Sequence, residues 1–151
     1  MTAKIKVTID RARWRTGSIG PNKTGEGHTR LLNQEGFMCC LGFCCQAAGA
    51  SKDDIQSKLY PSSLANTTKS RVPSMPSLIK YDGHRDEFAD LDLAVSAMEI
   101  NDCKDTTPAL KEQKILELFK DSEFEIEFTG EYPIIANPYN DTSKENDTCA
   151  L

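Results

Sequence analysis

Two groups of residues in this chain are of types that could do chemistry. The first is Cys39-Cys40-Leu41-Gly42-Phe43-Cys44-Cys45, which gathers four of the six cysteines into one short apolar stretch. Thiolates so close together could ligate a soft metal, form disulfides or act as nucleophiles. The second is basic: Arg11, Arg13 and Arg15 alternate around Trp14, the only tryptophan, with Lys23, His28 and Arg30 following. Guanidinium groups present planar donor forks to an oxyanion, and an indole face can stack on a base or on another guanidinium. The glycines between these residues match neither the phosphate-loop nor the dinucleotide fingerprint, so no nucleotide-processing enzyme is read from them.

The elements that must carry these groups follow from periodicity. Lys4-Ile5-Lys6-Val7-Thr8-Ile9 and Glu123-Phe124-Glu125-Ile126-Glu127-Phe128 alternate polar and apolar residues with the period of a half-buried strand. If the two are neighbours, Ile5, Val7, Ile9, Phe124, Ile126 and Phe128 form one sheet face, and lysines meet glutamates on the other. Between them the pattern is helical. The apolar run 37–49 predicts a helix stopped by Gly49, and Ser51 with Asp54 predicts a capping box on a short helix. Phe88, Leu91, Val95 and Met98 mark the stripe of another helix, and Thr107-Pro108 reads as N-cap and first position of a third, with Leu110, Ile115, Leu118 and Phe119 as its core face. Residues 60–85, rich in Ser, Pro and Thr, read as a long surface loop. The expected fold class is α+β: a small sheet formed by the N- and C-terminal strands, with about three helices packed on one face, in a single domain over 1–130. An irregular or disordered tail is expected over 131–151.

On a helix, Cys40 and Cys44 share a face, while Cys39 and Cys45 point about 120° apart. Four such thiolates cannot converge on a tetrahedral ion, and a Cys40/Cys44 pair completed by Cys103, His28 or His84 fits none of the usual zinc spacings. Adjacent cysteines are poor disulfide partners and an intracellular compartment disfavours the bond, so no disulfide framework is expected. A reactive thiol needs an electropositive, partly exposed setting, and this helix is apolar nearly all round. The cysteines therefore read as small buried hydrophobes, with Gly42 marking a close approach by another part of the chain. No metal and no cofactor is expected.

The 151 residues have ordinary globular composition, 38% hydrophobic and 27% charged. No signal segment opens the chain and no apolar run approaches membrane-spanning length, so a cytoplasmic protein is expected, and Asn-Xaa-Thr matches such as Asn66-Thr67-Thr68 carry no weight. Residues 1–30 carry a net charge of +5, which leaves −10 on the rest. Such a body repels an extended phosphate backbone, which favours a compact anion over a long nucleic acid as ligand of the basic segment. The bland alternative is a solvated basic loop, with Trp14 packed on the sheet edge and Arg15 or Arg30 paired to Asp102 or another acid. Neither His28 nor His84 lies in a triad or metal spacing, and Asn101-Asp102, which could supply an acid, reads more simply as capping a helix or closing a turn, so no enzyme is read.

Arg13-Trp14-Arg15-Thr16-Gly17, Leu31-Leu32-Asn33, Gly36-Phe37-Met38-Cys39-Cys40-Leu41-Gly42-Phe43 and Ile100-Asn101-Asp102 together resemble a group of small tailed-bacteriophage proteins of unassigned activity. Members share an Arg-rich opening, a Cys-Cys-Leu-Gly core and a downstream Asn-Asp. The likeness spans about residues 5–128; Cys44-Cys45 is less typical of the group. It implies a source and a compartment, the infected bacterial cytoplasm, and brings no catalytic residues. Coloured by it, the first function expected is a non-enzymatic phage-encoded binding protein whose Arg11, Arg13, Trp14, Arg15, Lys23, His28 and Arg30 sequester an anionic nucleotide-type signal in counter-defence. The alternative is an acidic inhibitor or adaptor acting on a host protein. A homo-oligomer would suit the first, because pockets form between protomers.

Overall fold

A computed structural model of the chain describes residues 3–15, 29–61, 64, 78, 91–103 and 106–132, with backbone alone at 91 and 92. In chain order the elements are β1 (Ile5–Asp10), α1 (Cys40–Ala47), α2 (Lys52–Ile55), α3 (Leu91–Asp102), α4 (Pro108–Phe119) and β2 (Phe124–Thr129). Most of the expected 60–85 loop, Phe88, His84 and the tail beyond Tyr132 lie outside the described residues.

The two terminal strands are neighbours, and they run parallel, in the register Ile5 to Phe124, Val7 to Ile126 and Ile9 to Phe128. Parallel strands need a long crossover, and the four helices supply it. Because the side-chain period is two, this register gathers the expected apolar residues on one face, where Val7, Ile9 and Phe124 are buried. Lys6 faces Glu125 on the uncovered side. Thr8 Oγ1 donates to Glu127 at 2.9 Å, and Lys4 Nζ reaches the Lys120 carbonyl at 2.5 Å. The sheet is thus α+β in the expected sense, with helices against one face: α1 packs on β1, α2 and α3, while α4 packs on α3 and β2.

The helix ends obey local chemistry. Ser51 and Asp54 form the full capping box, and Thr107 caps α4 by accepting from Leu110 N–H at 3.3 Å, with Pro108 in the first position. Gly49, at φ +109°, closes α1 in a left-handed turn: its N–H donates to Gln46 and that of Ala50 to Cys45. The start of α1 is later than expected. Phe37 and Met38 stay extended, because Met38 donates to the Arg13 carbonyl at 3.1 Å and accepts from Arg15 N–H at 2.9 Å, a bridge that competes with the first helical turn.

The core face of α3 also differs from the expected stripe. Ala94, Ala97, Met98 and Asn101 face inward, whereas Val95 is exposed. The small Ala94 and Ala97 let α3 approach its neighbours closely, and Val95 falls on the side of the helix turned away from them. Among the described residues, no helix is long and apolar enough to cross a membrane.

Among the described glycines, Gly42 has the closest neighbour. A Cβ placed there would lie 1.9 Å from the Leu31 carbonyl oxygen and 3.1 Å from Met38 Cβ. The obstacle is backbone, which cannot rotate away. In an open helix a glycine-to-alanine change stabilises by up to about 1 kcal/mol; here Gly42→Ala is expected to cost about 3 kcal/mol or more, by the overpacking mechanism. Urea denaturation checks the sign, and a neutral or stabilised variant would contradict the packing described.

Candidate functional site

The basic segment begins where β1 ends. Asp10 turns the chain, its carbonyl accepting from the N–H groups of Arg13 (3.0 Å) and Trp14 (2.9 Å) and its Oδ1 from that of Ala12 (3.0 Å). The turn sends the side chains of the expected site in different directions. Arg11 faces α4, where Nε and Nη2 grip both oxygens of Glu112 at 2.6 and 3.0 Å and Nη1 reaches the Gly130 carbonyl at 2.9 Å. The Tyr132 hydroxyl donates to the same carboxylate, and the Arg11 guanidinium lies over the Phe128 and Tyr132 rings. Hydrogen bonding to Glu112 pushes the Arg11 pKa further up, so this arginine is a fixed cation inside a clasp. Trp14 is buried, 4.9 Å from the Phe128 ring, and its Nε1–H donates to Asn101 Oδ1 at 2.8 Å. Its face belongs to the core, as the packed alternative supposed, and while it stays there no base can stack on it.

Arg13 directs Nε and Nη2 to the Gly36 carbonyl at 3.3 and 3.2 Å, and Arg30, exposed, bonds the Ser57 carbonyl at 3.2 Å. Lys23 and His28 lie outside the described residues. Arg15 is different. It is only 7% exposed, its guanidinium carbon sits 3.4 Å from the Phe37 ring centroid, and Nη2 is buried with no hydrogen-bond partner among the described residues. Burial pulls its pKa down, an effect partly offset by the Glu35 carboxylate.

The centre that positions Arg15 is Asn101, fully buried on the inner face of α3. Its Oδ1 accepts from Trp14 Nε1–H and from Cys40 N–H (3.1 Å); its Nδ2 donates to the Arg15 carbonyl (2.8 Å) and to Asp102 Oδ1 (3.0 Å). Two partners can only donate and a backbone carbonyl can only accept, which fixes the orientation of the amide. All four of its hydrogen-bonding positions are filled. The bond to Cys40 also replaces a missing cap, because Cys39, the N-cap of α1, makes no side-chain bond to the helix. Asp102 holds Thr29 by its N–H (3.0 Å) and Oγ1 (2.6 Å). The chain therefore leaves this dipeptide at Arg15 and returns to it at Thr29. Beneath it, Lys111 is buried on α4 with Nζ bonded to the Asn101 carbonyl at 3.0 Å, and burial lowers its pKa to about 8, against the opposing pull of Asp102.

The expected residues are thus not one constellation. Arg15 keeps a buried, unpaired donor over Phe37, while Arg11 and Trp14 are held in packing and hydrogen bonds within the fold. Asn101, foreseen only as a helix end or an acid's neighbour, is the organising group; Phe37, Glu35, Thr29 and Lys111 were not foreseen. For Lys111 a signal existed: it lies four residues before Ile115 and eight before Phe119, on their buried face. Comparison with protein-family models, with curated proteins and with solved structures gives no match to this chain.

The thiols make no competing site. Cys39, Cys40, Cys44 and Cys45 are free and buried, as the helix geometry implied, and among the described residues no three His, Cys, Asp or Glu side chains are grouped to hold a metal. Cys103 differs: it is disulfide-bonded, against the expectation of a chain without disulfides. Burial raises the pKa of all four free thiols, that of Cys39 to about 12. A thiol whose folded pKa is raised contributes fully below its unfolded value, about 8.5, and loses that contribution as pH rises towards the folded value. The slope is about 1.4 kcal/mol per pH unit for each. Lys111, with a lowered pKa, works the other way between about 8 and its ordinary 10.5, but it is one group against four. Unfolding free energy, measured with reductant present, is expected to fall by about 3 kcal/mol between pH 9 and 10, and Cys44→Ala should make that fall shallower by about 1 kcal/mol. A flat profile to pH 10 would show that the thiols are not sealed in the core.

Proposed function

We propose that this protein is a non-enzymatic binder of a small anion, with Arg15 as the receptor group. The observation that carries the reading is the buried, unpaired Nη2 of a guanidinium stacked on Phe37. A buried charged donor without a partner costs roughly 1–3 kcal/mol or more, and an oxyanion that meets it recovers that cost as binding energy. The bond from Asn101 Nδ2 to the Arg15 carbonyl holds the backbone of the receptor in place before ligand arrives, which lowers the ordering cost of binding. Nη2 is shielded from solvent, so an oxygen reaching it must displace what lies over it, and association should be slower than the diffusional range.

The ligand class we favour is a nucleotide-type anion, and the resemblance to small tailed-phage proteins suggests counter-defence, in which the protein withholds a signal from its receptor in the infected cell. No group with catalytic geometry is needed for this. The competing reading, an acidic surface that engages a host protein, has the exposed Glu125 and Glu127 in its favour, but Lys6 opposite Glu125 dilutes that charge.

Thermal unfolding against mono-, di- and cyclic nucleotides tests the proposal. A ligand at about 100 times its Kd stabilises by about 2.7 kcal/mol, which for a domain of this size raises Tm by about 5 °C or more. One class should produce that shift; Arg15→Met, which keeps the packing stem but not the charge, should abolish it, and Arg15→Lys should retain only part. If no nucleotide moves Tm, the small-anion reading fails.

A further inference from the structure

Among the described residues the sheet has two strands, so each strand has an edge that no other strand covers. Ile5 N–H donates to the Glu123 carbonyl at 2.7 Å and Arg11 N–H to the Thr129 carbonyl at 2.9 Å. Along a parallel ladder the bonding residues alternate, so Glu125 and Glu127 turn their backbone groups towards β1, while Ile126 and Phe128 turn theirs outwards. Among the described residues nothing bonds those outward N–H and C=O groups. The register runs without a bulge and Phe124–Thr129 holds no proline, so two usual devices for blunting an edge are missing there. The β2 edge is also the less covered of the two. Val7 and Ile9 of β1 are buried, whereas Ile126 and Phe128, their partners in the register, are partly exposed. On the other face Glu125 and Glu127 are exposed, and neither is in an ion pair among the described residues: Lys6 lies across from Glu125 without bonding it, and Glu127 is met by the neutral hydroxyl of Thr8.

We infer that the outer edge of β2 docks an extended segment of a partner protein in which apolar residues alternate with lysine or arginine, added to the sheet as a third strand. β1 itself has this pattern, Lys4-Ile5-Lys6-Val7-Thr8-Ile9, and already satisfies the other side of β2. A second strand of that kind bonds the Ile126 and Phe128 backbone, covers their side chains and sets its cations against the two carboxylates. The net charge of −10 outside the first 30 residues adds attraction for a basic segment. A second copy of the chain is a poorer occupant. Pairing β2 with β2 sets glutamate against glutamate, and pairing β2 with the outer edge of another β1 is head-to-tail and does not close. This edge shares no residue with the Arg15 site, and neither reading depends on the other.

Two dye-labelled hexapeptides, Lys-Val-Lys-Val-Lys-Val and Lys-Lys-Lys-Val-Val-Val, share one composition and differ in alternation, while Glu-Val-Glu-Val-Glu-Val reverses the charge. In fluorescence anisotropy with the full chain at low salt, the alternating lysine peptide should bind about tenfold more tightly than the block peptide, and the glutamate peptide should not bind. Reversing both carboxylates, Glu125→Lys with Glu127→Lys, should weaken the alternating lysine peptide about tenfold and admit the glutamate peptide. Amide exchange locates the contact. Bound peptide should slow exchange of the Ile126 and Phe128 N–H groups, which lie outside the ladder, and leave those of Glu125 and Glu127, already bonded to β1, little changed. Equal binding of the two lysine peptides, no effect of charge reversal, or unslowed Ile126 and Phe128 amides overturns the inference, as does failure of every peptide to bind. A dimer or filament in sedimentation of the protein alone, dispersed by the charge reversal, assigns the edge to a second copy and overturns it as well.

Discussion

The four hydrogen bonds of one buried amide, that of Asn101, hold this molecule in its arrangement. They join the end of β1 through Trp14, the uncapped start of α1 through Cys40, the segment after β1 through the Arg15 carbonyl and the return of the chain through Asp102 and Thr29. A polar group at the centre of an apolar core is unfavourable unless every position is satisfied, and here every position is. Its own backbone carbonyl holds Lys111, so α4 is tied to the same point. An asparagine, with two donors and two acceptor positions on one planar group, is well suited to a junction where indole, amide, carbonyl and carboxylate all meet.

The apolar packing around that junction sets its dimensions. Gly42 lets α1 press against the Leu31 carbonyl, and the row of small residues on α3 brings Asn101 within reach of both α1 and Trp14. Cysteine fits the remaining space on α1 as a compact hydrophobe whose proton is retained by burial. The clasp of Arg11, Glu112 and Tyr132 lies on the other side of Trp14, beyond Phe128, and joins β1 to α4 and to the segment after β2. The buried Arg15 guanidinium, the bond of Trp14 to Asn101 and the clasp of Arg11 therefore all come from one short segment, Arg11 to Arg15, in which Arg15 alone keeps a buried unpaired donor among the described residues.

Much of this was legible in the sequence wherever the cause is local. Alternation in β1 and β2 fixed which residues face the core, and the capping box, Thr107-Pro108 and Gly49 marked helix ends, because those preferences act within a few residues. The parallel direction of the sheet was not legible, since alternation is the same either way. On α3, Met98 of the expected stripe is buried but Val95 is exposed, and the inward Ala94, Ala97 and Asn101 were passed over because small and polar residues carry little apolar signal. The start of α1 was set by a bridge between Met38 and Trp14, a long-range competitor that no local propensity reveals. The candidate site was half legible: the residue types singled out the arginines around Trp14, but that Arg11 is held by Glu112, that Trp14 bonds Asn101 and that Arg15 keeps a buried, unpaired Nη2 required the fold, and Lys23 and His28 lie outside the described residues.

Hydrogen exchange at the Trp14 indole tests the role of Asn101 most directly, because the single tryptophan gives one Nε1–H signal. If the Asn101 junction opens only when the whole domain unfolds, the protection of that proton should correspond to the free energy from urea denaturation, within about 1 kcal/mol. Protection several kcal/mol below the global value would show that Trp14 and Asn101 separate in a local opening, and that the rest of the fold does not depend on them.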